Sequence, residues 1–101
     1  MEINGISELE KVTSEGLVVV DFFATWCGPC KMLSPVLEQI NEDRSDVKIV
    51  KVDIDNNMDL AKKYGIMSVP TVILFKDGKE VDKKIGFMPK DMITEWLNEY
   101  K

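Results

Sequence analysis

Cys27 and Cys30 are the only two cysteines of the chain, they flank Gly28-Pro29, and there is no histidine anywhere. Two thiols at this spacing could form a permanent cross-link, ligate a metal, or exchange reversibly between dithiol and disulfide. A zinc site takes four nitrogen or sulfur ligands, usually two such pairs or one pair with histidines. This chain offers one pair and no histidine. A cross-link over two intervening residues closes a very short loop, where the stabilisation from cross-linking is smallest, and permanent disulfides are rare in a reducing cytoplasm. Exchange fits best: a thiolate attacks a disulfide sulfur, a mixed disulfide forms, and a second thiol resolves it. Without histidine there is no Cys–His nucleophile–base pair, so the base must be a carboxylate or water.

The flanking residues say how the pair is held. Leu17-Val18-Val19-Val20-Asp21-Phe22-Phe23 is nearly continuous apolar residue, the pattern of a strand buried on both faces. Met32, Leu33, Val36, Leu37 and Ile40 recur as one face of a helix, predicted to run to about Asn41 and to kink at Pro35. Cys27 therefore falls at a helix N-terminus, where backbone N–H groups and the helix dipole stabilise an anion. It is the expected attacking thiolate, nearest solvent. Cys30 lies one turn in, on the buried side, as the expected resolving thiol. Pro29 lacks an N–H and fixes φ, which stiffens the Gly28-Pro29 link and suits a first helical turn. Lys31 adds positive charge nearby or is simply a solvated helix residue.

Asp21 interrupts the apolar run. Buried without a partner it would be costly and would hold its proton more tightly, which suits a proton carrier near neutral pH; at a strand end turned to water it would do neither. Lys51 lies among Val50, Val52 and Ile54, and is either paired with Asp21 or facing solvent. Trp26 is core or part of a docking surface.

The remaining elements make one domain over residues 1–101. Ser7-Glu8-Leu9-Glu10 has capping-box spacing and predicts a helix through about Ser14. Val47 to Val52 is a second strand, giving a right-handed parallel βαβ unit with the first. Met58 to Tyr64 is a helix stopped by Gly65. Thr71 to Phe75 is a buried strand, and Asp77-Gly78 is a two-residue hairpin signal that returns Glu80 to Ile85 antiparallel. Pro89 opens a last helix with Met92, Ile93, Trp96, Leu97 and Tyr100 on one face. These elements predict a mixed α/β sheet with helices on both faces.

The formal net charge of −5 argues against nucleic acid and anionic membrane as partners, since both select basic patches. No run approaches the roughly 18 apolar residues of a membrane span. Met1-Glu2-Ile3-Asn4-Gly5 has neither a basic start nor an apolar h-region, so a cytoplasmic protein is expected. No G-x-G-x-x-G is present, so electrons must come from a separate protein.

Six words, in order, carry a resemblance to the thioredoxin family over essentially the whole chain: Val20-Asp21-Phe22, Trp26-Cys27-Gly28-Pro29-Cys30-Lys31, Lys51-Val52-Asp53, Val69-Pro70-Thr71, Phe75-Lys76-Asp77-Gly78 and Gly86. The resemblance implies the thioredoxin fold: a mixed five-stranded sheet in the order 1-3-2-4-5, with a short strand 1 near Ile3 and four helices on both faces. It implies protein-disulfide reduction through a redox disulfide Cys27–Cys30, by a monomer with no bound cofactor. Electrons would come from a separate thioredoxin reductase, and the partners would be disulfide-containing client proteins. By the same resemblance Asp21 is a buried proton acceptor behind Cys30 with Lys51 as its partner, and Gly28 and Pro29 bias the couple toward the dithiol. The resemblance also implies that the Val69–Pro70 bond is cis and lies against the cysteines, and that Trp26, Val69, Pro70 and Gly86 form the client surface, on which the Val69 backbone could pair with an extended segment. Met67 and Phe87 are rim candidates or ordinary packing. Phe23 departs from the Trp of many members, and Phe87 is bulkier than the residue often found there. Two other functions use the same features: an interaction module without turnover, and an oxidase or isomerase. The intact cysteine pair with Asp21 disfavours the first, and Gly28-Pro29 with no export signal disfavours the second.

Overall fold

The structure, a computed structural model, describes residues 1–101. Its elements are α1 (Ile6–Thr13), β1 (Leu17–Phe23), α2 (Gly28–Asp43), β2 (Val47–Asp53), α3 (Met58–Lys63), β3 (Thr71–Lys76), β4 (Lys79–Ile85) and α4 (Lys90–Asn98). The sheet order is β2-β1-β3-β4. β1 and β2 are parallel, from Leu17 opposite Val47 to Phe23 opposite Asp53. β3 is antiparallel to β1, and β4 to β3.

Side-chain alternation along β1 makes two cores. Leu17 and Val19 pack with Leu33, Leu37 and Ile40 of α2 and with Ile93 and Leu97 of α4. Val18, Val20 and Phe22 pack on the other face with Ile3, Leu9 of α1 and Leu60 of α3. A strand covered on both sides has no polar face to alternate with, so β1 is apolar nearly throughout.

The expected fifth strand is reduced to one bridge. Glu2 pairs in parallel with Lys51; Ile3 N–H donates to Lys51 O at 2.9 Å and Lys51 N–H to Met1 O at 2.8 Å. Only these residues precede the turn at Gly5 (φ 87°) into α1, too few for a ladder. The order of the other four strands is the expected one.

The capping box does not form either. Gly5 caps α1, without a side-chain cap. Asn57 does the tying instead: its Oδ1 accepts from Gly5 N–H at 2.8 Å, and its Nδ2 donates to Asn4 Oδ1 and Asp53 O, both at 3.0 Å. Ser7 lies inside the helix, where its hydroxyl is no longer aimed at the first free N–H groups.

Two turns follow the sequence signals. Asp77 (φ 49°) and Gly78 (φ 88°) take the left-handed conformations of a type I′ hairpin. After α3, Ile66 N–H donates to Ala61 O at 2.8 Å and Gly65 N–H to Lys62 O at 3.3 Å, a Schellman closure.

α4 buries Ile93, Trp96 and Leu97, whereas Met92 is exposed. Met92 lies about 100° around the helix from Ile93 and so misses the sheet. A register shift in β4, where Leu74 opposes Asp82 but Phe75 opposes Glu80, leaves Val81 as the extra residue of a bulge. Asp82 Oδ2 accepts from Trp96 Nε1 at 2.7 Å and Tyr100 Oη at 2.9 Å, and Oδ1 from Lys83 N–H at 2.8 Å. These donors, the Trp96 indole foremost, hold the Asp82 carboxyl below its ordinary 3.8. Asp82→Ala is expected to cost about 1–2 kcal/mol at pH 7, since partly exposed hydrogen bonds to a carboxylate are worth that order. The lowered carboxyl stabilises above the unfolded value and loses its effect as pH falls through the folded one. The gap between variant and wild type in urea midpoint should therefore narrow below about pH 4.

Candidate active site

β1 delivers the chain to the site. After Phe23, Cys27 N–H donates to Ala24 O at 3.2 Å, and Cys27 becomes the N-cap of α2 with φ −92° and ψ 115°. Its Sγ accepts from Cys30 N–H at 3.2 Å. Gly28 and Pro29 occupy the first helical turn, where the missing proline N–H costs no intrahelical bond. Cys27 and Cys30 form a disulfide, with Cα atoms 5.3 Å apart.

As whole residues the two cysteines are about equally buried, Cys27 5% exposed and Cys30 4%. The asymmetry lies in the cap: only Cys27 Sγ receives a helix N–H, the arrangement that stabilises a thiolate.

Around the pair pack Ala24, Phe23, Ile54 and Val69. The Val69–Pro70 bond is cis, and Val69 O lies 3.7 Å from Cys27 Sγ. Gly86 N–H donates to Pro70 O at 2.8 Å, which brings the end of β4 to the same place. Trp26 is exposed and its Nε1 donates to Asp55 Oδ2 at 3.0 Å. Met67 and Phe87 are exposed as well. Asp55 is not among the sequence candidates. It is 29 residues from Trp26, and nothing in local spacing announces such a contact.

Asp21 is completely buried, and neither carboxylate oxygen has a hydrogen-bond partner. Burial pushes its pKa up to about 6, with Lys51 pulling the other way. The expected direct pairing with Lys51 is not made. Lys51 stands opposite Asp21 in the parallel register, but its Nζ donates to Ser34 Oγ and lies 5.4 Å from the centre of the Phe23 ring. Its long stem carries the charge to α2 rather than to the carboxylate, so it acts on Asp21 only through space. Phe23, Ala24, Cys30, Lys31, Ser34 and Lys51 line an open groove of about 260 Å³, which reaches Cys30 from the side of α2.

A disulfide seated on a helix N-terminus, at the end of a buried parallel strand, is built to open and close against other sulfurs, and a protein so made is a thiol–disulfide oxidoreductase. The chain belongs to the thioredoxin family: the family's model, described as Thioredoxin, matches residues 6–99. It is 51% identical over 89 residues to a thioredoxin of Bacillus subtilis, covering 87% of this chain and 86% of that one. It is also 51% identical over 92 residues to a thioredoxin of Listeria monocytogenes, covering 90% and 89%. Among solved structures, a mutant thioredoxin from Halobacterium salinarum superposes with a TM-score of 0.94 at 40% identity, covering 99% of this chain and 88% of that one. Protein-disulfide reduction is the activity of this family and of this chain. No helix is long and apolar enough to cross a membrane.

Proposed function

We infer that Cys27 is the attacking thiolate of a protein-disulfide reductase and Cys30 the resolving thiol. The observation that carries this is the N-cap geometry, in which Cys27 Sγ accepts the Cys30 N–H at 3.2 Å. In the reduced protein that N–H and the helix dipole favour the thiolate at Cys27 over one at Cys30. The Cys27 thiolate attacks a client disulfide, one client sulfur leaves as a thiolate that takes a proton from solvent, and a mixed disulfide remains. Cys30 then gives up its proton and attacks Cys27; the second client thiol is released and the Cys27–Cys30 disulfide forms. Two electrons pass to the client, whose disulfide becomes two thiols.

Asp21 accepts the Cys30 proton in this reading. Its support is a buried carboxyl with no partner and a pKa of about 6, close to where a general base is most useful. Lys51 tempers that carboxyl from a distance. Clients dock on Trp26, Val69, Pro70 and Gly86, flanked by Met67 and Phe87. The Val69 backbone beside Cys27 Sγ offers strand-type pairing to an extended segment, which ignores client side chains and suits many clients. Gly28 and Pro29 tune the couple toward the dithiol. A separate thioredoxin reductase returns the electrons, and the protein works as a monomer in the cytoplasm, a reducing compartment that suits a dithiol donor.

Insulin reduction by dithiothreitol tests the reading. The wild-type protein at micromolar concentration should accelerate it at least about tenfold, as an exchange thiol poised near ambient pH does, and Cys27→Ser should give no acceleration. A wild-type rate equal to dithiothreitol alone would sink the reductase and leave an interaction module.

A further inference from the structure

We propose that Ser34, together with the Phe23 ring, holds the Lys51 ammonium away from the Asp21 carboxyl and so preserves Asp21 as an unpaired proton acceptor for Cys30. This positioning role rests on the reading of Asp21 as that acceptor. It begins from a mismatch in the partners. Asp21 and Lys51 are directly opposed on adjacent parallel strands, which lie about 4.8 Å apart and project opposed residues to the same face. A buried carboxylate attracts an ammonium so placed, even one at the wall of an open groove. Yet both carboxylate oxygens are unpartnered, while the ammonium has the Ser34 hydroxyl and the face of Phe23.

Ser34 is placed for this by the helix. It follows Cys30 by four residues on α2, so the two share one face, and both line the groove with Lys51. The clamp thus parks the positive charge on the wall beside Cys30. The other elements around Asp21 bring no competing charge. β3 places Val72 opposite it. The buried residues of α4 are Ile93, Trp96 and Leu97, and those of α2 after Cys30 are Leu33, Leu37 and Ile40. Lys31 is exposed on the groove rim. Cys30 is the remaining titratable group, and it is bound in the disulfide. Lys51 is accordingly the one charge acting on the Asp21 carboxyl, against the effect of burial, and where its ammonium sits sets how firmly Asp21 holds a proton.

Removing the clamp lets the ammonium close on the carboxylate. A carboxylate with a cation within about 4–6 Å titrates at a pH lower by about one or more, and a weaker base draws the Cys30 proton less readily. Carbon-13 titration of the Asp21 carboxyl in the oxidised protein reads this without any turnover. Ser34→Ala should lower the midpoint by about one pH unit, and Ser34→Thr, which keeps the hydroxyl, should leave it near wild type. Lys51→Met should raise it, and adding Ser34→Ala to Lys51→Met should change nothing further. A midpoint unmoved in Ser34→Ala overturns the clamp, as does a downward shift that persists in the Lys51→Met background. Single-turnover decay of the mixed disulfide separates the underlying reading. In Ser34→Ala its pH profile should move with the carboxyl. If the carboxyl moves and the profile stays, the clamp stands and Asp21 is not the acceptor.

Discussion

Cys30→Ser should accumulate client proteins as stable mixed disulfides through Cys27, at least about tenfold above wild type, because nothing remains to resolve them. Cys27→Ser should accumulate none. The pair is a sharp test because burial of the whole residue does not distinguish the two cysteines: both are at most 5% exposed. If access alone chose the nucleophile, the two variants would trap clients about equally. The cap makes the difference. Cys27 Sγ takes a helix N–H at 3.2 Å and faces the Val69 carbonyl region where a client strand would lie. Cys30 has its backbone donor committed to its partner. Non-reducing gels of variants incubated with an oxidised client measure the outcome, and equal trapping by both would return the polarity of the pair to an open question.

Asp21→Ala should be more stable than wild type at pH 7 and slower in resolution. The folded carboxyl titrates at about 6 against an ordinary 3.8, chiefly because burial disfavours its ionised form. Folding therefore favours the protonated state. That contribution is complete below about pH 4, where both states are protonated, and it is lost as pH rises through about 6. At pH 7 the ionised, unpartnered carboxylate costs on the order of 3 kcal/mol, from about 1.36 kcal/mol for each pH unit. The cavity left by alanine offsets about 1 kcal/mol of the relief. The net gain is about 2 kcal/mol at pH 7, or about 10 °C in Tm for a domain of this size; it should shrink as pH falls and reverse near pH 4, where only the cavity cost remains. Resolution of the mixed disulfide should slow about a hundredfold with the loss of its general base. Denaturant midpoints at both pH values and single-turnover insulin reduction check both halves. A variant less stable at pH 7 and equally fast makes Asp21 a structural residue only.

What is legible in advance is what spacing encodes. The apolar run of β1, the Asp77-Gly78 turn, the stop at Gly65 and the helix that begins at the cysteine pair are all local patterns, and each forms as expected. The departures depend on where a chain or a long side chain ends up. Ser7 has capping spacing, but Gly5 and Asn57 settle where α1 starts. Strand 1 becomes one bridge because the turn at Gly5 follows too soon. The neighbours of Met92 suggest the buried face, though one residue is about 100° of rotation. At the site, Cys27, Cys30 and Val69 pack together and Gly86 bonds Pro70, whereas Trp26 turns to Asp55. Asp55 and Ser34 are not legible, since each acts through a contact 29 or 17 residues away. Lys51 is legible as a charge near Asp21 and not as one turned aside from it.

The two margins of the sheet bear on what company this protein keeps. Strand-type pairing of an extended segment at Val69, as proposed above, is also how unfolded chains stick to one another. The protein's own borders resist that fate. β4 shows Lys79, Glu80, Asp82, Lys83 and Lys84 along seven residues and is bent by the bulge at Val81, and β2 is partly covered by the Met1–Ile3 segment. Charge and irregularity of this kind discourage edge-to-edge growth. Such borders let the protein be abundant beside extended chains without pairing edge to edge with them.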